Sequence, residues 1–421
     1  MRKLAIFLGD VALLYGALAI TLFVRYAVPF GTQGYWERFA AHLGPFSLIF
    51  LVWLLMLYLF NLYQYKSIHP TALLKMAALA GITAGAVSMA LFYFFPAFFG
   101  LTPKTNLIIF SIVFIALKYL WQHIVVFRIF PQAAEPAVLI GSSETISKTS
   151  QYLKNNPHLG YKITENGEGA HLVVVQDKLL KDVKIIPSFY NLIPKGVNVM
   201  PFSSFYEEIF ESVPLDELDE SWFIENIAVH RPLYDRIKRI IDIILSLLAL
   251  AIFSPFLILS ALAIRLTSRG PVLYKQERVG KDNKPFILYK FRTMRHGAKG
   301  PLWTEKKDKR LTPAGRILRA AHFDELPQLW NILKGDISVT GPRPERKELV
   351  EKYKKLPHYE MRHIVKPGLT GWAQVNFKPS ASMEEAKEKL CYDIYYIKNR
   401  SLFLDLIITF KTARLFLSSN Y

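Results

Sequence analysis

The 421-residue chain is poor in cysteine and in acid. Its single cysteine, Cys391, excludes an intrachain disulfide framework and any CxxC metal motif. Aspartate and glutamate number 34 against 52 lysines and arginines, a formal net charge of +18. Partners should therefore be anionic: nucleic acid, lipid headgroups or a phosphorylated substrate. A glycine fingerprint is also missing. After the strand-like "AVLIG" (Ala137–Gly141) come Ser142, Ser143 and Glu144, so the G-x-G-x-x-G of a dinucleotide site fails. No cleavable signal is expected, because the apolar run Leu4–Val24 is too long for an h-region and lacks a small-residue cleavage site. What is plentiful is apolar: 52% of residues are hydrophobic, yet 20% are charged. Membrane and cytosolic parts are expected together, and beside hydrophobic spans, headgroups or phosphate substrates carry more weight than nucleic acid.

Four apolar stretches of spanning length fill the first third: Leu4–Val24, Gly44–Leu62, Ala72–Phe95 and Thr105–Phe127. About 20 apolar residues cross about 30 Å of hydrocarbon. Arg2 and Lys3 precede the first, Lys66 and Lys75 lie between the second and third, and Arg128 follows the fourth. The positive-inside bias puts both ends of this bundle in the cytoplasm, although Arg25, Arg38 and Lys104 weaken the asymmetry. Asp10, inside the first span, reads either as a buried polar contact or ion site or, preferably, as an interfacial or helix–helix contact. A fifth run, Ile240–Ile264, is long enough to cross but basic on both flanks, with Arg236, Lys238 and Arg239 before it and Arg265 and Arg269 after it. Symmetric flanks keep both ends on one side. Ser254–Pro255 lies past the middle, where proline removes a backbone bond and Ser254 can re-satisfy the freed group. A re-entrant helix–break–helix is expected, with a kinked ordinary span as the alternative.

Residues 135–229 change character. "AVLIG", "HLVVVQ" and "GVNVMP" read as strands, with a helix through Lys154 after the first, which predicts a small α/β domain with a parallel sheet. Beyond Ile264 cations crowd. "PVLYKQERV" and "FILYKFRTM" read as a hairpin around "GKDNKP", in a stretch holding Lys275, Arg278, Lys281, Lys284, Lys290, Arg292, Arg295 and Lys299. Many of these suit a solvated face; some suit lipid phosphate or an anionic substrate. Thr312 and Pro313 are a good start for a helix with Arg316 and Arg319 on one face. In "FDELPQLWNILKGDISVTGPRPE" (Phe323–Glu345), Asp324 can cap a second helix that stops at Gly335. Capping accounts neither for the adjacent Glu325 nor for Arg343, locked between Pro342 and Pro344. A fixed arginine fork suits phosphate. Adjacent acids amid cations suit one carboxylate as nucleophile and one as ligand for a magnesium ion that also holds phosphate oxygens. Near the end, Asp405, Lys411 and Arg414 interrupt an apolar run too polar to span, either a core helix or an interfacial amphipathic one.

Taken together, Ser254–Pro255 in an apolar run, "KFRTM", "DELPQLWNILKGDISVTGPRPE" and "KPGLTGWAQV" (Lys366–Val375) resemble the bacterial sugar transferases that load a sugar-1-phosphate onto a polyprenyl phosphate, the monotopic phosphoglycosyl transferases. The resemblance covers about the last 190 residues; the whole chain looks like the long, exopolysaccharide-type members. It implies a membrane protein of α plus α/β class: a four-helix transmembrane bundle (1–130), a small degenerate Rossmann-like domain (131–229) and a C-terminal α+β catalytic domain (230–421) with a re-entrant helix (240–264). It implies Asp324 as nucleophile on the β-phosphate of a UDP-sugar, and Glu325 as its dyad partner. Both acids would be candidate ligands for Mg²⁺, with Mn²⁺ as a substitute. Arg343 would bind substrate phosphate, Arg319 would organise the acids, and Lys290 and Arg292 would line the site near the headgroups. Gln374 would lie close by, and Ser254 and Pro255 would form the helix break. The implied partners are a UDP-sugar, undecaprenyl phosphate and membrane lipids, without nucleic acid; a homodimer is left open. The implied location is the bacterial inner membrane with the catalytic domain on the cytoplasmic face. His322–Phe323 departs from the aliphatic or small residues more usual before the acid pair.

Two other classes compete. A membrane-anchored nucleotide-sugar dehydratase would need the missing fingerprint and a Tyr-x-x-x-Lys; Tyr234 and Lys238 have that spacing, which 21 tyrosines make unremarkable by chance. A catalytically inactive assembly scaffold would have lost the acid pair or Arg343, and both are present.

Overall fold

The computed structural model describes residues 2–60, 62–63, 70–99, 104–121, 134–164, 169–298, 308, 310–377 and 382–417. Two compact units emerge: Met1–Leu139 with Lys148–Val173 and Gly196–Asn198, and Ile140–Ser147 with Val174–Lys195 and Val199–Tyr421.

In the first unit the apolar runs form the helices Arg2–Tyr26, Gln33–Leu59, Pro70–Phe94 and Lys104–Trp121. Three contain stretches long and apolar enough to cross a membrane; the fourth, Thr105–Trp121, is shorter. The remainder of the expected fourth span, residues 122–127, lies outside the described residues, as do Lys66, Arg128 and Lys299. The second helix begins well before the expected Gly44, because Tyr35 and Phe39 continue an aromatic face that packs (Tyr35 is 2% exposed). Trp53 and Phe46 pack on Phe110 at 4.9 and 5.6 Å between ring centres. Asp10 is at once a buried polar contact and a helix–helix one: both of its carboxylate oxygens accept from Lys118 Nζ, at 2.7 and 2.8 Å.

The expected strands of the middle segment appear as β1 (Glu135–Ile140), β3 (Leu172–Val175) and β4 (Asn198–Pro201), with the helix Glu144–Asn155 after β1. A further strand, β2 (Tyr161–Ile163), had too few residues to show alternation. The sheet order is β2-β1-β3-β4, with β1 and β2 parallel. In the second unit, Val213, Leu215, Trp222 and Phe223 join Leu390, Ile394, Ile397 and Ile408 in one buried core.

The fifth apolar run is one continuous helix, Pro232–Thr267, with Pro255 inside it. At 1.5 Å per residue it is about 54 Å long. The expected interruption at Ser254–Pro255 is absent, for a local reason. Proline cannot donate to the carbonyl four residues back, that of Ala251; the Ser254 hydroxyl donates to that carbonyl instead, at 2.8 Å. Only 11% of this helix's most apolar window is buried. Its early turns are tied down. Arg239 donates to the Ile332 and Leu333 carbonyls at 2.5 and 2.6 Å, and Asp242 accepts from Ser338 Oγ and Val339 N, both at 3.0 Å.

The hairpin pairs β5 (Leu273–Val279) antiparallel with β6 (Pro285–Phe291). Asp282 and Asn283, both residue types that tolerate left-handed backbone, turn the tip. Two short parallel strands, β7 (Ser338–Thr340) and β8 (Gly368–Thr370), run side by side. The apolar C-terminal run is two helices, Met383–Asn399 and Leu402–Leu417, of which Ile408 enters the core while Phe403 and Leu406 stay exposed.

Candidate active site

The acids sit where two helices meet a turn. Thr312 opens the helix Pro313–Ala320, its hydroxyl accepting from Gly315 N at 2.9 Å. Position 315 admits only glycine, since a Cβ there would stand 1.9 Å from the Thr293 carbonyl oxygen. After this helix His322 turns left-handed (φ 55°) and starts the 3₁₀ turn Phe323–Glu325. Asp324 therefore does not cap the following helix. Gln328–Lys334 begins after Pro327 without a side-chain cap, and Asp324, four residues upstream, is out of register with its first N–H groups. Gly335 ends that helix as expected, left-handed at φ 88°.

Asp324 is 8% exposed, and among the described residues no hydrogen bond reaches its carboxylate. Burial and the neighbouring Glu325 push its pKa up, against the pull of Lys290, Arg319 and His322. Glu325 is driven the other way. Burial opposes ionisation, but Arg343 and Lys290 outweigh it and hold the carboxyl well below the usual range. Its Oε1 accepts from Lys290 Nζ at 2.6 Å and from Arg343 Nη2 at 2.8 Å. Two adjacent carboxylates are thus pushed apart in acidity, one a fixed anion and one buried without a hydrogen-bond donor.

Arg343 is held through its backbone as well as by its prolines. Gly341 N donates to Thr370 O and Gly368 N to Pro342 O, each at 2.9 Å. A Cβ at Gly341 would meet the Lys366 carbonyl oxygen at 2.5 Å. Arg362 donates to the Arg343 carbonyl and Arg278 to the Pro344 carbonyl, both at 2.9 Å. Arg362 is anchored in turn by Tyr359 (2.9 Å) and Asp393 (3.0 Å), and Glu345 by Lys389 at 2.5 Å. Apart from the Tyr359–Arg362 bond, this buried support is not visible locally in the sequence, because its members lie far apart along the chain.

The other expected residues distribute as follows. Arg319 Nε donates to Thr293 Oγ1 at 2.9 Å, close enough to Asp324 to influence it, while Arg316 is exposed. Arg292 is buried and donates to the Ser268 carbonyl at 2.9 Å, at the end of the membrane helix rather than on Glu325. Gln374 donates weakly to Leu369 O at 3.3 Å, beside β8. Tyr234 and Lys238 both bond to Asp405 Oδ2 at 2.8 Å, while Thr340 and Tyr396 hold Oδ1 at 2.6 and 2.8 Å. That four-bonded hub, rather than a dehydratase pair, is what the Tyr-x-x-x-Lys spacing makes. The sequence signal was Asp405 itself, an acid inside an apolar run.

Among the described residues no three His, Cys, Asp or Glu side chains cluster for a metal. The donor set nonetheless suits Mg²⁺, which commonly takes one or two carboxylates and completes its shell with water and substrate phosphate; Asp324 and Glu325 would hold it.

Residues 233–419 match the bacterial sugar transferase family. Over 218 residues the chain is 42% identical to the UDP-N-acetylgalactosamine-undecaprenyl-phosphate N-acetylgalactosaminephosphotransferase of Aeromonas hydrophila, covering 50% of each chain. It is 42% identical over 188 residues to the UDP-glucose:undecaprenyl-phosphate glucose-1-phosphate transferase of Caulobacter vibrioides, covering 44% of this chain and 70% of that one. It is 43% identical over 186 residues to the exopolysaccharide production protein PSS of Rhizobium leguminosarum bv. phaseoli, covering 42% of this chain and 93% of that one. The chain thus spans only about half the length of the Aeromonas relative, and nearly all of the Rhizobium one.

Proposed function

The chain belongs to the bacterial sugar transferase family, and from that premise we propose that it transfers a hexose-1-phosphate from a UDP-sugar to undecaprenyl phosphate, releasing UMP. The observation that carries the reading is the contrast inside the acid pair: Glu325 clamped by Lys290 and Arg343, Asp324 buried with no hydrogen bond among the described residues.

A carboxylate oxygen of Asp324 attacks the β-phosphorus. The bond from that phosphorus to the bridging oxygen breaks, and UMP leaves with the electron pair. An oxygen of the lipid phosphate then attacks the same phosphorus, the bond to Asp324 breaks, and its carboxylate is restored; the product is a lipid diphosphosugar. Arg343 and Lys290 are placed to meet the charge that develops on the phosphoryl oxygens, with Glu325 fixing both cations. Bound Mg²⁺ would supply neutralisation of the diphosphate, which two carboxylates otherwise repel. The weakly buried helix Pro232–Thr267 suits a site that must work at headgroup depth. The cations that flank its apolar run, Arg239 before it and Arg265 after it, suit anionic headgroups.

The relatives are named for glucose and for N-acetylgalactosamine, so a panel of UDP-sugars is the assay. Purified protein incubated with each UDP-sugar alone should release about one UMP per active site and gain the mass of one sugar phosphate at Asp324. Release that requires lipid phosphate from the first turnover, with no adduct on rapid quench, would mean direct transfer and would overturn the two-step route.

A further inference from the structure

The residue before the buried carboxylate is Phe323. On its inner side it packs against the core of Ile264, Phe291 and Leu318. On its outer side it meets two rings of the membrane helix: Phe256, with centroids 5.4 Å apart, and Phe253, at 6.3 Å. Those two are 6.2 Å from each other and flank Ser254–Pro255. Phe256 is 45% exposed, and beyond it Ile252 and Leu259 are exposed as well. The three rings form an unbroken apolar path from a face suited to hydrocarbon to the backbone of Asp324.

Resting on the transferase reading above, we propose that Phe253, Phe256 and Phe323 bind the first isoprene units of the lipid acceptor and set which prenyl phosphate can reach Asp324. In the second half-reaction an acceptor oxygen must come within about 3–3.5 Å of the phosphorus held on Asp324. The first isoprene is joined to that phosphate through a single ester oxygen, so it falls within one side-chain length of residue 324. The apolar surface at that distance is Phe323, backed by Phe256. The phosphate end faces Lys290, Arg343 and Arg319, and the hydrocarbon end faces the exposed run of the membrane helix, so the path matches an amphiphile in both polarity and direction. The π-faces and edges of the rings favour the acceptor's allylic double bond over a saturated chain.

The test compares the full-length protein with Phe256→Leu and Phe323→Leu in nanodiscs of one fixed lipid composition. Acceptors are undecaprenyl phosphate and its analogue with a saturated first isoprene; UMP release from UDP-sugar is followed with and without acceptor. Each substitution should raise the acceptor KM about three- to tenfold and shrink the preference for the unsaturated acceptor, while the acceptor-free UMP burst keeps its parental amplitude. Phe253→Leu, farther from the acid pair, serves as the second variant should Phe323→Leu fail to fold. An unchanged acceptor KM and preference would make the rings an anchor for bulk lipid and overturn the proposal. So would loss of the burst along with acceptor use, which would make them a prop for Asp324. No burst in the parent protein, with acceptor-dependent release intact, would overturn the two-step route and with it the acceptor step argued here. No UMP release even with acceptor would remove the transferase reading, and this proposal with it.

Discussion

Two buried acid–base clusters in this molecule differ in their stoichiometry. Among the N-terminal apolar helices one acid faces one base: Asp10 and Lys118 are both 0% exposed, and both carboxylate oxygens accept from the same ammonium. In the C-terminal domain Asp324 and Glu325 face Lys290, Arg343 and Arg319; one acid takes two cations and the other takes no hydrogen bond among the described residues. A matched pair sealed from water carries no net charge with which to draw in a third ion, and it fixes two helices. An unmatched cluster with surplus positive charge and a spare carboxylate is a place for an anion to arrive. The difference teaches that burial of charge alone is not a sign of function; imbalance is.

The comparison breaks most sharply at Asp324. Asp324→Asn should reduce transfer by at least about 10³-fold with an unchanged circular dichroism spectrum and gel-filtration profile. If the variant keeps more than a tenth of parental activity, the spare carboxylate is not the nucleophile. Next in size is Arg343→Lys, which keeps the charge but loses the planar fork. A fall of about 10²-fold, mostly in kcat, is expected. Wild-type kinetics would mean that only the charge at 343 matters.

On the matched side the effect should fall on stability. Lys118→Met strands the Asp10 carboxylate in a buried site and should cost about 3–5 kcal/mol, read as a lowered thermal midpoint in detergent. Adding Asp10→Leu should restore most of that loss, and activity per folded molecule should stay at the parental level throughout. A lasting activity defect in the double variant would give the pair a role beyond architecture.

The smallest effect concerns His363, buried with its Nδ1 3.3 Å from the Gly280 carbonyl oxygen. Burial, reinforced by Arg362, lowers its pKa from 6.5 to about 4. Between those values the unfolded chain binds a proton that the folded one refuses, so stability falls as pH drops from about 6.5 to 4 and is flat above. The contribution is at most roughly 3 kcal/mol. His363→Gln should flatten the difference between thermal midpoints at pH 7 and pH 5; an unaltered slope would place the titration elsewhere.

Local chemistry made several of these elements legible in advance. The hairpin, the Thr312 cap, the Gly335 stop and the strands β1, β3 and β4 each follow from turn residues, capping residues or short apolar runs within a few positions. The acids, Lys290 and Arg343 were legible as types, because their spacing and the proline lock are sequence properties. Three kinds of feature were not. Strands of three residues, β2, β7 and β8, are too short to carry a period. The 3₁₀ turn under Asp324 depends on His322 adopting a left-handed backbone, which no neighbour demands. The props behind Arg343, namely Arg278, Arg362 and Asp393, join residues separated by 19 to 66 positions or more, and nothing local announces such a pairing. Continuity through Ser254–Pro255 belongs to a fourth kind: the residues were singled out correctly, but the hydroxyl repairs the ladder well enough to prevent a break.

The Asp405 hub has a consequence in time. Its partners Tyr234 and Lys238 are separated from it by 171 and 167 residues. At roughly 5–20 residues per second of synthesis, the ribosome needs on the order of ten to thirty seconds to travel between them. For most of that interval the long apolar helix has been made and can enter the bilayer, while Thr340, once made, leads directly into the Gly341–Pro342–Arg343 turn and still lacks its anchor. A nascent chain stalled before residue 405 would thus hold its apolar helix without the acid that ties that helix to Thr340, and the synthesis of Asp405 would close the link.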